Sequence, residues 1–174
     1  ASEGAIDGDL GRIADAATQF PALIRLATPI ARIDVAVFLP PGAASPFSRQ
    51  RLPGMRIGTT RGQLVVQKLV RDLHVSESSS LLQTLQMLQA GRVDAAIEVY
   101  VDAMQLIRTE RALAGLKAAP QCLVSEPLYC YLHRRHRALA AALDDALAAM
   151  QREGLIARLN DEMLRAAEVP TLPC

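Results

Sequence analysis

Met55-Arg56-Ile57-Gly58-Thr59-Thr60, followed by Arg61-Gly62-Gln63 and then by Leu64, Val65, Leu69 and Val70, is the stretch whose reading decides the fold. The first six residues read as a strand, the glycine-containing triplet as a tight connection, and the apolar recurrence at 64, 65, 69 and 70 as a helix. This is a βα unit, and the chain repeats the alternation downstream. Ser78-Ser79-Ser80 offers an N-cap, Leu81, Leu82, Leu85 and Leu88 form one helical stripe, and Gly91 ends it. Residues 93–100 are a near-continuous apolar run, the pattern of a strand covered on both faces. Alternating strands and helices predict a parallel, doubly wound sheet with right-handed crossovers.

Outward from this centre the pattern is less regular. Residues 5–11 read as a turn-rich strand end, and Leu10, Ile13, Ala14 and Ala17 recur at helical spacing up to Phe20-Pro21. Residues 22–26 and 30–39 read as two extended stretches, the second alternating through Ile33, Val35 and Val37. Residues 42–53, with Pro, Ser and Gly, read as a linker or crossover loop. On the far side, residues 103–113 are expected to be helical and 121–132 extended. Leu139, Leu143, Leu147 and Met150 mark a long helix ended by Gly154, a last helix covers 155–165, and an irregular tail runs from Val169 to Cys174.

Of 174 residues, 51% are hydrophobic, and 19 basic side chains stand against 18 acidic ones, so there is material for one or two cores and no electrostatic footprint for nucleic acid. Aromatics make up 3% and Trp is absent, which argues against stacking platforms for bases or sugars. No apolar run approaches the roughly 20 residues that span a bilayer. Ala1-Ser2-Glu3-Gly4 lacks the features of a signal peptide, so any export signal is expected to have been removed. Three cysteines, Cys122, Cys130 and Cys174, have no metal-ligand spacing. On one extended segment Cys122 and Cys130 would stand roughly 26 Å apart, too far to bond. Each cysteine is read in preference as a small buried hydrophobe, the alternative being a bridge from Cys174 to one of the other two.

Three phrases carry a resemblance. They are Arg56-Ile57-Gly58 through Arg61-Gly62, the run Leu85 to Ala95 (LQMLQAGRVDA), and His136 to Leu159 closing in MQREGLIARL. In this order they resemble the family 3 extracellular solute-binding proteins, the polar amino-acid receptors of bacterial ABC importers. The resemblance implies an α/β, type II periplasmic-binding-protein-like fold of two doubly wound lobes, the first incomplete because its opening strands have no counterpart. Residues 1–40 would be the remnant of lobe one, 41–128 a complete lobe two, and 129–174 the return to lobe one with the C-terminal helices. The incomplete lobe is expected to leave an unprotected sheet edge and exposed apolar side chains, and hence self-association.

The resemblance also supplies candidate ligand residues. Arg61, Gly62 and Gln63 occupy a βα loop at a helix N-terminus, a place suited to an α-carboxylate. Ser79 and Ser80 stand at the next helix start, where capping is the competing role. Arg12 falls near the family's carboxylate-binding arginine, against the plainer reading of a solvated helix face. Where the family places an amino-group-binding Asp, this chain has Val99, with Glu98 before it and Asp102 after it as the carboxylates that could take over, against the plainer reading of a carboxylate at the sheet rim. His133 and His136 are read as part of a solvated basic segment, and Asp7-Gly8-Asp9 as a turn rather than a calcium loop. No phosphate loop, nucleophile elbow or triad spacing is present, so neither cofactor nor metal is implied.

The function implied is non-catalytic capture of an amino-acid-like solute in an inter-lobe cleft, as the periplasmic substrate-binding component of an ABC importer, with a membrane permease as partner. A ligand-free sensory or interaction domain of the same fold is one alternative. A periplasmic dehydratase-type enzyme, with Glu98 as its strongest candidate carboxylate, is the other.

Overall fold

The computed structural model describes residues 6–43 and 47–174, so the reading of Ala1-Ser2-Glu3-Gly4, Ala5 of the strand end and residues 44–46 of the linker fall outside the described residues. The elements are β1 (Gly8–Arg12), α1 (Ala16–Gln19), β2 (Leu23–Leu39), a 3-10 helix (Arg49–Gly54), β3 (Arg56–Thr60), α2 (Leu64–Leu69), β4 (His74–Ser78), α3 (Leu81–Gln89), β5 (Ala95–Val99) and α4 (Tyr100–Thr109). They continue through a 3-10 helix (Arg111–Leu113), β6 (Lys117–Ala118), β7 (Val124–His133), a 3-10 turn (Arg134–His136), α5 (Arg137–Arg152) and α6 (Leu155–Ala167). Seven strands hydrogen-bond in the order β1-β7-β2-β5-β3-β4, with β6 on β2. The chain divides into two compact units, 1–33 with 126–166, and 34–125 with 167–174.

The second unit holds the parallel part of the sheet. β3 pairs in parallel with β4, Thr60 opposite Ser78, and with β5, Gly58 opposite Ala96. β2 and β6 add antiparallel pairs, so the sheet is mixed, with Ala36 of β2 opposite Glu98. One face is covered by α3, whose buried Leu85 and Leu88 join Ala36, Phe38, Ala96 and Tyr100 in an aliphatic and aromatic core. Leu85, Leu88 and Phe38, fully removed from water, each stabilise by about 1.5–3 kcal/mol. Gly58 lets α3 come this close, since a Cβ there would lie 3.1 Å from Val93 Cγ2 and 3.2 Å from Thr84 Cγ2. At the opposite end of the strands the phrase Gly91-Arg92-Val93-Asp94-Ala95 acts structurally. Gly91 ends α3 at φ +67°, Val93 is buried, and Asp94 accepts from the Arg56 N–H at 2.8 Å and from Arg56 Nη2 at 2.7 Å.

The tail of the same unit is covalently held. Cys122 and Cys174 form a disulfide, their Cα atoms 5.0 Å apart, and Cys130 keeps a free thiol. This corrects the preferred reading of Cys122 and Cys174 as buried hydrophobes. Cys122 precedes β7 rather than lying on it, and its N–H donates to Pro173 O at 3.0 Å, so the tail is brought alongside. Val169 and Leu172 pack on the core just described, so the tail is irregular as expected but has an apolar footing.

In the first unit the helix expected over 10–20 shrinks to the four residues of α1, and Gly8–Arg12 is a strand instead. Two glycines weaken any helix there, and pairing with β7, Gly8 opposite Leu132, decides the outcome. Gly11, at φ +77°, sits where that register shifts between Asp9 and Arg12. β2 is a single strand of 17 residues and not two stretches, because Thr28-Pro29 does not break it. The Thr28 N–H is satisfied by Asp144 Oδ1 of α5 at 2.8 Å. Buried Tyr131 ties β7 to the turn after β1, its hydroxyl donating to Ile13 O at 2.8 Å. The large apolar residues left exposed, Ile6, Leu10, Leu139, Leu143, Leu159 and Met163, all belong to this unit. Among the described residues no helix is long and apolar enough to cross a membrane.

Candidate functional site

Polar side chains gather at the C-terminal ends of β3, β4 and β5, the end where open α/β sheets bind ligands. Strand alternation puts Thr60, Ser78 and Glu98 on the face that α3 covers, and Thr84 of α3 completes the group. Thr60 Oγ1 lies 2.8 Å from Glu98 Oε1 and 3.2 Å from Thr84 Oγ1. Thr84 Oγ1 lies 2.7 Å from Ser78 Oγ, which donates to Ser80 O at 2.7 Å. Glu98 and Thr84 are wholly removed from solvent, and Ser78 nearly so.

Burial dominates the electrostatics here. It pushes the Glu98 carboxyl up to about 7, against the opposing hydrogen bond from Thr60 and the smaller opposing influence of the nearby Thr84 and Gln63 side chains. Glu98 Oε2 and Gln63 Oε1 are buried with no hydrogen-bond partner among the described residues, and Thr59 Oγ1 is in the same position.

The outer layer of this end is exposed. Arg61 Nε pairs with Glu77 Oε2 at 3.2 Å, and Gly62 stands at φ +88° with open space where a Cβ would be. Gln63 is the N-cap of α2, but that helix has only six residues, too few for an anion site built on its N-terminus alone. The N-terminus of the nine-residue α3 is better formed. The Gln83 N–H donates to Ser80 Oγ at 3.3 Å, while Gln83 Oε1 accepts from Ser79 N at 3.2 Å and Ser79 Oγ at 3.1 Å.

The structure therefore brings Arg61, Gly62, Gln63, Ser79, Ser80 and Glu98 to one end of the second unit, with Glu98 inside and the rest at or near the surface. Val99 closes β5, and Asp102 is exposed in the first turn of α4. Arg12 belongs to the other unit, on β1 rather than on a helix, where it pairs with Asp9 and lies 5.3 Å above the Phe20 ring. His136 lies 2.6 Å from the Asp7 carboxylate, which Arg135 also contacts. Among the described residues no group of three or more His, Cys, Asp or Glu could hold a metal ion.

Two features escaped the sequence reading. The hydroxyls of Thr60 and Thr84 signal their role only once α3 is docked, because a lone Thr in a strand or helix is common. An open, mainly apolar pocket of about 430 Å³ in the first unit is lined by Leu10, Leu26, Cys130, Tyr131, Leu143 and Leu147. Its residues come from β1, β2, β7 and α5, and no local pattern joins them.

No family model matches the chain. An uncharacterized protein of Shewanella oneidensis is 28% identical over 167 residues, which is 91% of this chain and 62% of that protein. The chain thus spans about 62% of the length of this curated relative. Among solved structures, a histidine kinase sensor domain with similarity to periplasmic binding proteins matches 99% of this chain and 74% of its own, at TM-score 0.74 and 19% identity. The GluR0 ligand-binding core in complex with L-glutamate matches 92% of this chain and 73% of its own, at TM-score 0.75 and 17% identity. These likenesses establish the fold, a mixed α/β architecture of the type II periplasmic-binding-protein kind.

Proposed function

We propose that the chain is a non-catalytic binding protein for a small amino-acid-like solute, engaged through the loops that follow β3 and β4. The observation that carries this is the convergence, at the C-terminal ends of three parallel strands, of the exposed Arg61-Gly62-Gln63 loop with the capped N-terminus of α3. A solute carboxylate placed there meets backbone N–H donors, the Ser79 and Ser80 hydroxyls and the Arg61 guanidinium. The Arg61–Glu77 pair is exposed and weak, so an incoming carboxylate can replace Glu77 as the partner of Arg61. The likeness to a core that holds L-glutamate supports this solute class. Glu98, being fully buried, serves the site from beneath and offers no exposed carboxylate for dehydratase chemistry.

The disulfide suits an oxidising compartment, which supports a periplasmic or extracellular place of action. In the full reading the chain delivers its solute to an ABC permease, and its first unit associates with a second copy through β1 and the exposed apolar residues around it. The likeness to a sensor domain over nearly the whole chain favours a second reading, a sensory domain whose amino-binding Asp is replaced by Val99.

An NMR titration with an amino-acid panel tests the proposal. Solutes are expected to shift the amides of Gly62, Gln63, Ser79 and Ser80, and to do so less in Arg61→Ala. If no amino acid moves these resonances, the solute site is wrong and the sensory reading takes its place.

A further inference from the structure

We propose that Glu98 is a neutral carboxylic acid heading a one-way chain of hydroxyl donors, through Thr60, Thr84 and Ser78 to the Ser80 carbonyl, which couples a proton in the core to the cap of α3.

The argument is a count of hydrogens. Four successive contacts link the chain: Glu98 Oε1 to Thr60 Oγ1 at 2.8 Å, Thr60 Oγ1 to Thr84 Oγ1 at 3.2 Å, Thr84 Oγ1 to Ser78 Oγ at 2.7 Å, and Ser78 Oγ to Ser80 O at 2.7 Å. Each of these contacts between oxygens needs one hydrogen; a longer fifth contact, Thr84 Oγ1 to Ser80 O at 3.4 Å, takes none because Thr84 turns its single hydrogen to the nearer Ser78 Oγ at 2.7 Å. A hydroxyl supplies one and accepts others, so Thr60, Thr84 and Ser78 supply three. The carbonyl of Ser80 supplies none. The fourth hydrogen must come from Glu98, which then donates to Thr60, Thr60 to Thr84, Thr84 to Ser78 and Ser78 to Ser80. With Glu98 ionised, Thr60 has to turn its hydrogen toward the carboxylate, and one contact of the four is left as two facing lone pairs.

A second observation points the same way. Among the described residues Glu98 Oε2 is buried with no hydrogen-bond partner, a costly position for half of a carboxylate charge and a tolerable one for the carbonyl oxygen of a neutral acid. The groups with the largest effect on Glu98 are Thr60 from β3, Thr84 from α3 and Gln63 from the loop before α2, none of which titrates. β2 faces it with Ala36. Tyr100 and Asp102 on α4 are not among the groups with the largest effect on it, and the Arg61–Glu77 pair lies outside, on the exposed surface. The proton on Glu98 is thus set by burial and by this chain of hydroxyls. Its far end is the residue that caps α3, whose Oγ holds the Gln83 N–H.

The test is an NMR pH titration of the intact chain with no solute present, so its outcome is independent of solute binding. The Glu98 carboxyl carbon is expected to titrate with a midpoint near 7, and the Ser80 and Gln83 amides to follow that midpoint. Glu98→Gln, whose amide N–H can still donate to Thr60, should abolish the response of those amides. Thr60→Val should leave Glu98 titrating while Ser80 and Gln83 stay still. A Glu98 midpoint near its ordinary 4.5 overturns the proposal, as does a Ser80 and Gln83 response that survives in Thr60→Val. Should Glu98→Gln fail to fold, the wild-type titration and Thr60→Val decide the matter. A further consequence rests on the proposed solute binding: affinity for a solute touching Ser79 and Ser80 should change with the same midpoint. Solute binding with no such pH dependence overturns the coupling and spares the binding, whereas no solute binding at all leaves the solute-free titration to judge the coupling.

Discussion

Asp144 of α5 holds the backbone N–H of Thr28 at 2.8 Å, joining residues 116 positions apart within the first unit. The bond explains why β2 passes through Thr28-Pro29 unbroken, since a side chain supplies the acceptor that strand pairing does not. It also holds the Asp144 carboxyl below its ordinary 3.8, with the Thr28 backbone bond as the main cause. That contribution to stability is complete above 3.8 and is lost as pH falls through the lower folded value. Asp144→Ala should cost about 1–3 kcal/mol in denaturant unfolding at neutral pH, because the Thr28 N–H is left nearly buried without an acceptor. An unchanged midpoint would remove Asp144 as the anchor of α5.

Gly58→Ala should destabilise the second unit by about 1–3 kcal/mol, since the new methyl presses on Val93 and Thr84 and lifts α3. The thermal midpoint reads this directly. Neutral behaviour would mean that α3 shifts at little cost.

Glu98 acts on stability in the direction opposite to Asp144. Its folded value of about 7 stands above the ordinary 4.5, so the folded state holds the proton more tightly. The resulting contribution is fully present below 4.5, declines as pH rises, and is gone above 7. Over that window the loss amounts to roughly 3 kcal/mol, taking about 1.4 kcal/mol for each pH unit. Glu98→Gln should flatten the stability profile between these values and leave the variant more stable than the parent at pH 8. A parallel profile for the two proteins would show that Glu98 does not titrate in this range.

The edge strand β1 and the exposed Leu10, which is 73% accessible, predict self-association through the first unit. Light scattering should show a mass that rises with concentration, and Leu10→Lys should shift it toward the monomer. A constant monomer mass at high concentration would refute this.

The βα units around β3 and α3 were legible in the sequence because each local signal agreed with the next. The glycine ending α3, the Ser80 cap and the buried Val93 to Ile97 run all act within a few residues of their neighbours. The opening of the chain was not legible, since the helical spacing of Leu10, Ile13 and Ala17 is overruled by pairing with β7, some 120 residues away. Long-range partners also left the Cys174 bridge as the less favoured alternative, because it depends on where the tail returns. At the candidate site, the loops after β3 and β4 could be located from turn chemistry and caps. The hydroxyl chain beneath them could not, because Thr60, Ser78 and Thr84 become neighbours only when α3 lies on the sheet.

The Cys122–Cys174 bond closes a ring of sequence around β7, α5 and α6, so the larger share of the first unit is threaded into a covalent loop whose clasp belongs to the second. A protease that cuts once between α5 and α6, at the exposed Gly154, would leave two pieces still joined. They would migrate as one species until a reductant opened the clasp, and Cys130 would be the thiol an alkylating reagent found before that. Damage of this kind is held in place, and a severed backbone can stay assembled long after its peptide bond is gone.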